Sequence, residues 1–154
     1  MTKMTIVDVC SMVYPGQYEL KNIAFGQDSD SPIFITKWTV PNIQEPTAQE
    51  LEAMIPDLQS QFDLLFFVNV GQPQLMPLLD IVAQERKYNS AISCASYVSS
   101  TIPEWKAEAD AFVSWRDSVF TYTISQVQLM KSGQRSVPTF EEFKTELPAM
   151  VWPN

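Results

Sequence analysis

The run Thr101 to Gly133, TIPEWKAEADAFVSWRDSVFTYTISQVQLMKSG, decides the fold class of this chain and predicts a single helix. Thr101 and Glu104 stand at the spacing of a capping box, with Pro103 in the first turn, where its missing N–H costs nothing. Lys131 falls in the last turn, a cation at the negative end of the helix dipole, and Gly133 lies just beyond, a residue at ease with positive φ. Between these ends Trp105, Ala109, Phe112, Val119, Ile124, Val127 and Met130 recur at helical spacing, while Lys106, Glu108, Asp110 and Asp117 take the other side. That apolar face is wide enough to need partners on more than one side.

Working outward, Leu75, Leu78, Leu79 and Val82, then Tyr88, Ile92 and Tyr97, predict a helix pair or a broken helix reaching about Ser99, with the break at Asn89-Ser90. On the C-terminal side, Ser132 to Val137 is a polar connection, and Thr139 with Glu142 repeats the capping-box spacing after Pro138, opening a helix to about Glu146 that Pro148 stops. The last residues, PAMVWPN, are apolar with two prolines, and are expected to lie extended across the surface of the domain or of a neighbour.

The N-terminal half reads differently. The β-branched residues between Met4 and Cys10 predict a short strand, closed by a turn at Tyr14-Pro15-Gly16, and Tyr18 to Phe25 is expected to pair with it. Ile33 to Val40, IFITKWTV, alternates as a strand should. Between them, Gly26 to Pro32 alternates acids with other residues like a calcium loop, but without the central glycine and closing glutamate it reads as a solvated hairpin loop. Pro41 to Pro46 is a linker. Thr47 and Glu50 form another capping box, opening a short helix that Pro56 is expected to interrupt near Ile55. Residues 57–70 are apolar with neither period clear, and read equally as helix or buried strand. The fold class is therefore α+β: a small β-rich part with a short helix, 1–72, then a helical part organised on one long helix with an extended apolar tail, 73–154, together in one compact domain.

Composition narrows the function classes. At 154 residues the chain suits one core, with 45% apolar and 18% charged residues. Its net charge is −8, and Arg86, Arg116 and Arg135 are its only arginines. That argues against a nucleic-acid partner, because neutralising phosphates takes clustered cations. Cys10 and Cys94 sit in no CxxC or zinc spacing and read as free, buried thiols. Neither a leader segment nor a membrane span is expected, because the most apolar stretch, Leu64 to Val68, is far shorter than a bilayer crossing. The protein is expected in the cytoplasm.

Histidine is absent, which removes the commonest general base and transition-metal ligand together. No serine sits in a nucleophile elbow, and the four glycines are too scattered to cradle a phosphate, so no cofactor and no metal is expected. The acids Glu104, Glu108 and Asp110, and likewise Glu141 and Glu142, occupy helix starts, where the dipole favours them. No catalytic residue is assigned. A small metal-independent hydrolase working through two carboxylates is the alternative from another class, and would need two acids converging in an apolar pocket. Aromatics are the richer pattern, with Trp105, Phe112, Trp115, Phe120 and Tyr122 on the helix, Trp38 on a strand and Trp152 in the tail. Core packing accounts for most of them. The partner-binding candidates are Trp115, Arg116, Phe120, Tyr122 and Trp152, led by Trp115 and Phe120 at the edge of the main stripe. Arg116-Asp117 is either a surface pair or a buried pair that orients the helix.

Several of these residues also carry a likeness. Phe112-Val113-Ser114-Trp115-Arg116-Asp117-Ser118-Val119-Phe120 is followed by Gly133-Gln134-Arg135-Ser136-Val137-Pro138-Thr139, a short acidic helix, then Leu147-Pro148 and Trp152-Pro153. In that order they resemble the C-terminal half of small tail proteins of tailed bacteriophages, encoded beside tail-fibre genes and called tail-fibre assembly proteins. Glu85-Arg86-Lys87-Tyr88-Asn89-Ser90, with Ile92 and Ser96-Tyr97, resembles the segment before the helix in that group, and Pro46 to Leu51 is a looser likeness to its N-terminal half. Phe120 departs from the tryptophan expected there. The resemblance implies a protein without enzymatic activity that binds the fibre polypeptide, a trimer, or a neighbouring tail protein. Its place would be the host cytoplasm during assembly, or the virion tail if it stays as a permanent structural component. The family brings no catalytic residues.

Overall fold

The computed structural model describes residues 3–17, 21–28 and 32–154. The architecture is mixed and helix-rich, with a small two-stranded antiparallel sheet. The chain divides into two compact units, Met1–Asp63 and Leu64–Asn154, a boundary N-terminal to residue 72.

In the first unit the segment expected as a strand is helix α1, Ile6–Val13. Thr5 caps it: its Oγ1 accepts the Asp8 N–H, while the Asp8 carboxylate accepts the Thr5 N–H at 2.7 Å. Ile6, Val9 and Cys10 are buried at helical spacing, and that burial together with the cap outweighs the β-branched residues' preference for strands. Tyr14-Pro15-Gly16 is the turn beyond, with Gly16 at φ +79°. The sheet is therefore not built on the first segment. Strand β1, Ile23–Gly26, pairs with β2, Phe34–Trp38, through Ile23 opposite Trp38 and Gly26 opposite Phe34, with a bulge after Ala24. At Gly26 a Cβ would come within 2.8 Å of the Thr36 methyl, so this end of β1 favours glycine. Residues 18–20, expected to pair with the first segment, and 29–31 of the acidic loop lie outside the described residues.

Helix α2, Ala48–Phe66, opens on the Thr47–Glu50 capping box, whose carboxylate accepts the Thr47 N–H at 2.7 Å. It runs through Pro56 instead of stopping near Ile55. Pro56 has no N–H to donate to the Glu52 carbonyl, but both residues are exposed, so water can satisfy that carbonyl. Residues 57–66 are thus helix, and Phe67–Gly71 form a π turn and Gln72–Gln74 a 3-10 turn before the next helix. Helical backbone from Ala48 to Glu85 contains an 18-residue window long and apolar enough to cross a bilayer by length and composition, at mean hydropathy 1.2. Only 24% of that window is buried, and Leu65, Phe66, Met76 and Ile81 are exposed. Met4, Ile6, Val9, Cys10, Ile23, Val40 and Leu51 form the core of the first unit, with Trp38 edge-on to Tyr14 at 5.1 Å beside it.

The second unit holds α3, Leu75–Glu85, α4, Ala91–Ser96, α5, Pro103–Lys131, and α6, Phe140–Glu146. Between α3 and α4 the chain reverses with Lys87 at φ +65°, the Lys87 N–H bonding to the Gln84 carbonyl and the Tyr88 N–H to the Ala83 carbonyl. This is the helix-ending motif usually built on glycine, and it turns Tyr88 into the core. Ser90 caps α4, and the Asp80 carboxylate accepts the Ala91 N–H at 2.8 Å, tying α3 to the start of α4.

Helix α5 differs from its expected form in three respects. Its N-cap is Ile102, without a side-chain bond, so Thr101 and Glu104 make no box; with Pro103 as the first helical residue, the cap falls one position later. Its buried residues are Glu108, Ala109, Phe112, Trp115, Val119, Thr123 and Met130, which excludes Trp105 (44% exposed) and Ile124 (58%) from the face. Thr123 occupies the inward position beside Ile124, its hydroxyl donating to the Val119 carbonyl at 2.8 Å, so a polar residue takes the place the apolar pattern gave to its neighbour. Glu108, expected on the outer side, is buried. At the other end Gly133 takes φ +71° and the Gln134 N–H reaches back to the Leu129 carbonyl. Helix α6 opens on the Thr139–Glu142 box. Two cores serve the unit: Leu75, Leu79, Ala83, Tyr88, Ala91, Cys94, Phe112, Trp115 and Val119 in one, Phe67, Met130 and Phe143 in the other.

Candidate partner-binding face

The five partner-binding candidates do not form one surface. Trp115 is 9% exposed and belongs to the core, its indole N–H donating to the Pro148 carbonyl at 2.7 Å. It is therefore not available to a partner. The stripe recurs at residues 112, 115 and 119, so the position read as its edge is its middle. Trp152 lies parallel to Phe112, ring centroids 6.0 Å apart, and Phe112 meets Trp115 at 5.6 Å on another side. Tyr122 turns to the second core, against Phe143, and donates to Glu146 at 2.7 Å.

Arg116 and Phe120 are half-buried, and Phe120 also packs against the first core. With Met76, Leu79, Ala91, Ile92 and Asp117 they line a depression of about 290 Å³. Helix α3 contributes its rim methionine, the short α4 presents Ile92 at 75% exposure, and α5 forms the wall through residues one helical turn apart. Both Nε and Nη2 of Arg116 donate to the same oxygen of Asp117, at 2.9 and 2.8 Å. This is a surface pair, with the Asp117 side chain 60% exposed. Sequence reasoning missed Ile92 and Met76, which sit in apolar runs read as core.

Two polar networks also escaped the sequence. The Tyr88 hydroxyl donates to Glu108 at 2.8 Å, with Arg86 3.4 Å from the other carboxylate oxygen. Burial, and then the Glu108 hydrogen bond, push the Tyr88 hydroxyl well above the usual phenol range. In the second network Arg135 holds Glu146 at 2.6 Å and donates to Gln126, while Tyr122 bonds the same carboxylate. The Arg135 hydrogen bond, then the Tyr122 one, hold the Glu146 carboxyl below its ordinary value of 4.5. Three other helix-start acids have structural partners: Asp110 binds Lys106, Glu141 binds Lys144 and Glu142 caps α6. Cys10 and Cys94 are free and buried, and burial raises both thiols to about 11, which disfavours the reactive thiolate. Among the described residues no group of three or more acids, cysteines or histidines could hold a metal ion.

Comparison with known proteins adds no assignment, since no protein family, curated protein or solved structure matches the chain.

Proposed function

We propose that this chain is a non-enzymatic binding module, a phage tail-fibre assembly chaperone or a fibre-associated tail protein, with the Arg116–Phe120 depression as the seat for the fibre polypeptide. The reading takes α5 as the element on which the C-terminal part is organised. One observation carries it: within the run that makes up the resemblance, Trp115 belongs to the core while Arg116 and Phe120 line a depression, Phe120 also packing on the core beneath it. Trp115, Pro148 and Trp152 are occupied with one another and with Phe112. Arg116 and Phe120, from the same short run, are left lining an outward depression next to exposed Ile92 and Met76. Exposed apolar side chains grouped around a concavity are a recognised mark of protein contact sites.

The test is co-expression with the neighbouring fibre gene. Soluble trimeric fibre is expected to rise several-fold with the wild-type chain and to fall back with Ile92→Asp, whose side chain supports little of the core and whose folded signal should therefore persist. Equal yields with and without the chain would refute assistance in assembly. Mass spectrometry of purified virions separates a permanent component, present in the tail, from a transient chaperone confined to the host cytoplasm.

A further inference from the structure

Between α4 and α5 the run Ser96-Tyr97-Val98-Ser99-Ser100-Thr101 gathers hydroxyl side chains, and Trp105 stands in the first turn of the helix that follows. Ser96, Tyr97, Ser99, Ser100, Thr101 and Trp105 line a concavity of about 460 Å³. That is the size of a small-molecule site, about 300–1,000 Å³. A ladder of rings fixes the indole from one side: Tyr88 in the core meets Tyr97 at 5.3 Å, and Tyr97 meets Trp105 at 5.7 Å, nearly perpendicular at 84°. Trp105 is nonetheless 44% exposed. Its N–H also sets it apart. Trp38, Trp115 and Trp152 each donate to a protein oxygen, whereas the Trp105 indole meets no acceptor among the described residues. The hydroxyls around it keep complementary capacity. Ser96 donates to the Ser93 carbonyl at 2.7 Å and can still accept, and Ser100 accepts the Ile102 N–H at 3.2 Å and can still donate. The hydroxyls of Ser99 and Thr101 have no partner among the described residues and can do both.

We infer that this concavity is a binding site for a neutral saccharide. A sugar ring presents a face of C–H bonds, which packs on an indole, and a rim of hydroxyls that donate and accept in equal measure. The concavity offers the counterparts of both, an anchored indole with an unused donor and hydroxyl side chains on either side of it in the chain. An anion would find no cation among the lining residues, since the nearby Lys106 ammonium is held by the Val98 carbonyl and the Asp110 carboxylate, each at 2.9 Å. A wholly apolar ligand would strip water from the serine and threonine hydroxyls and return no hydrogen bond, which is costly. The site shares no residue with the Arg116–Phe120 depression, and the inference does not depend on the function proposed for that depression.

The full chain, labelled with 15N, is titrated in separate experiments with neutral oligosaccharides of glucose, galactose, mannose and N-acetylglucosamine, and with adenosine as a stacking ligand of another class, each to about 10 mM. At least one saccharide should shift the Trp105 indole N–H resonance, half-saturating at about 1 mM or below, while the indole resonances of Trp38, Trp115 and Trp152, whose donors are engaged, stay in place. With that saccharide, followed through the backbone amides of Ser99 to Thr101, Trp105→Ala should lose about tenfold or more in affinity. Thr101→Val, which removes an exposed hydroxyl and keeps the side-chain shape, should lose about threefold. No shift of the Trp105 indole with any saccharide, equal movement of all four indoles, a shift with adenosine alone, or an affinity that Trp105→Ala leaves unchanged would overturn the inference. Should Trp105→Ala fail to fold, Thr101→Val decides in its place, and unchanged affinity there overturns it.

Discussion

The two units cover their helices by different means. In the first, α1, α2 and the hairpin enclose a mainly aliphatic core, and side-chain hydrogen bonds such as Trp38 to the Ile43 carbonyl and Thr39 to the Asn22 carbonyl join residues 5 and 17 apart. In the second, comparable bonds join Tyr88 to Glu108, Trp115 to Pro148 and Arg86 to Pro153, at separations of 20, 33 and 67 residues. Apolar burial stabilises both. The directional contacts of the second unit span longer separations, and these fix which tail position meets which helix position where packing alone would tolerate slippage.

The largest effect that can sharpen this contrast is core truncation. Phe112→Ala and Leu51→Ala remove fully buried side chains from the second and first units, and each is expected to cost about 2–5 kcal/mol, with Phe112 at the upper end. Amide hydrogen exchange should show lost protection within 64–154 for the former and within 1–63 for the latter. Loss below about 1 kcal/mol at either site would remove it from the core. Next comes Trp115→Phe, which keeps an aromatic ring and deletes the donor to the Pro148 carbonyl. A cost of about 1–2 kcal/mol is expected, with faster exchange of the Trp152 indole N–H, which donates to Glu85, as the tail loosens. An unchanged tail would show that packing, without the directional bond, holds it.

Helix caps provide a smaller and more symmetrical comparison. Thr47→Ala and Thr139→Ala each break a capping box, and each should destabilise its own unit by about 1 kcal/mol in urea titration. Smallest is the acid response of the Arg135–Glu146 pair. The Glu146 carboxyl is depressed in the folded state, so the unfolded chain binds the proton more readily, and stability from this pair is fully present above about 4.5 and fades as pH falls through the folded value. The melting temperature of Glu146→Gln should therefore lie below that of the wild type at pH 7 and converge with it as pH falls through the folded value. A constant gap would assign the effect to the Tyr122 hydrogen bond or to packing instead of charge.

How much of this was legible depended on the range of the interaction. The boxes at Thr47–Glu50 and Thr139–Glu142 were readable because a cap involves residues three apart and little else. The box at Thr5–Asp8 is equally local, but an aspartate stands where glutamate is the usual signal, and the β-branched residues beside it pointed to a strand. At Pro56 the general cost of a proline was read correctly but not its remedy, exposure to water, which belongs to the tertiary setting. For the candidate site, Phe120 was legible as an edge residue of the stripe, while the Arg116-Asp117 pair was open to a surface or a buried reading. Trp115 was not legible as core, because deciding which side of a broad stripe faces inward needs the position of α3, α4 and the tail.

By itself the sequence determined where α5 and α6 run, that the tail would be extended and apolar, and which residue types were absent from any chemistry. These follow from local sterics, capping and periodicity. Only the tertiary structure decided that Glu108 would be buried against Tyr88, that Trp152 would stack on Phe112, and that Arg116 would line a depression with Phe120. Each of those depends on segments far apart in the chain meeting at one place, and no local rule of spacing encodes that meeting.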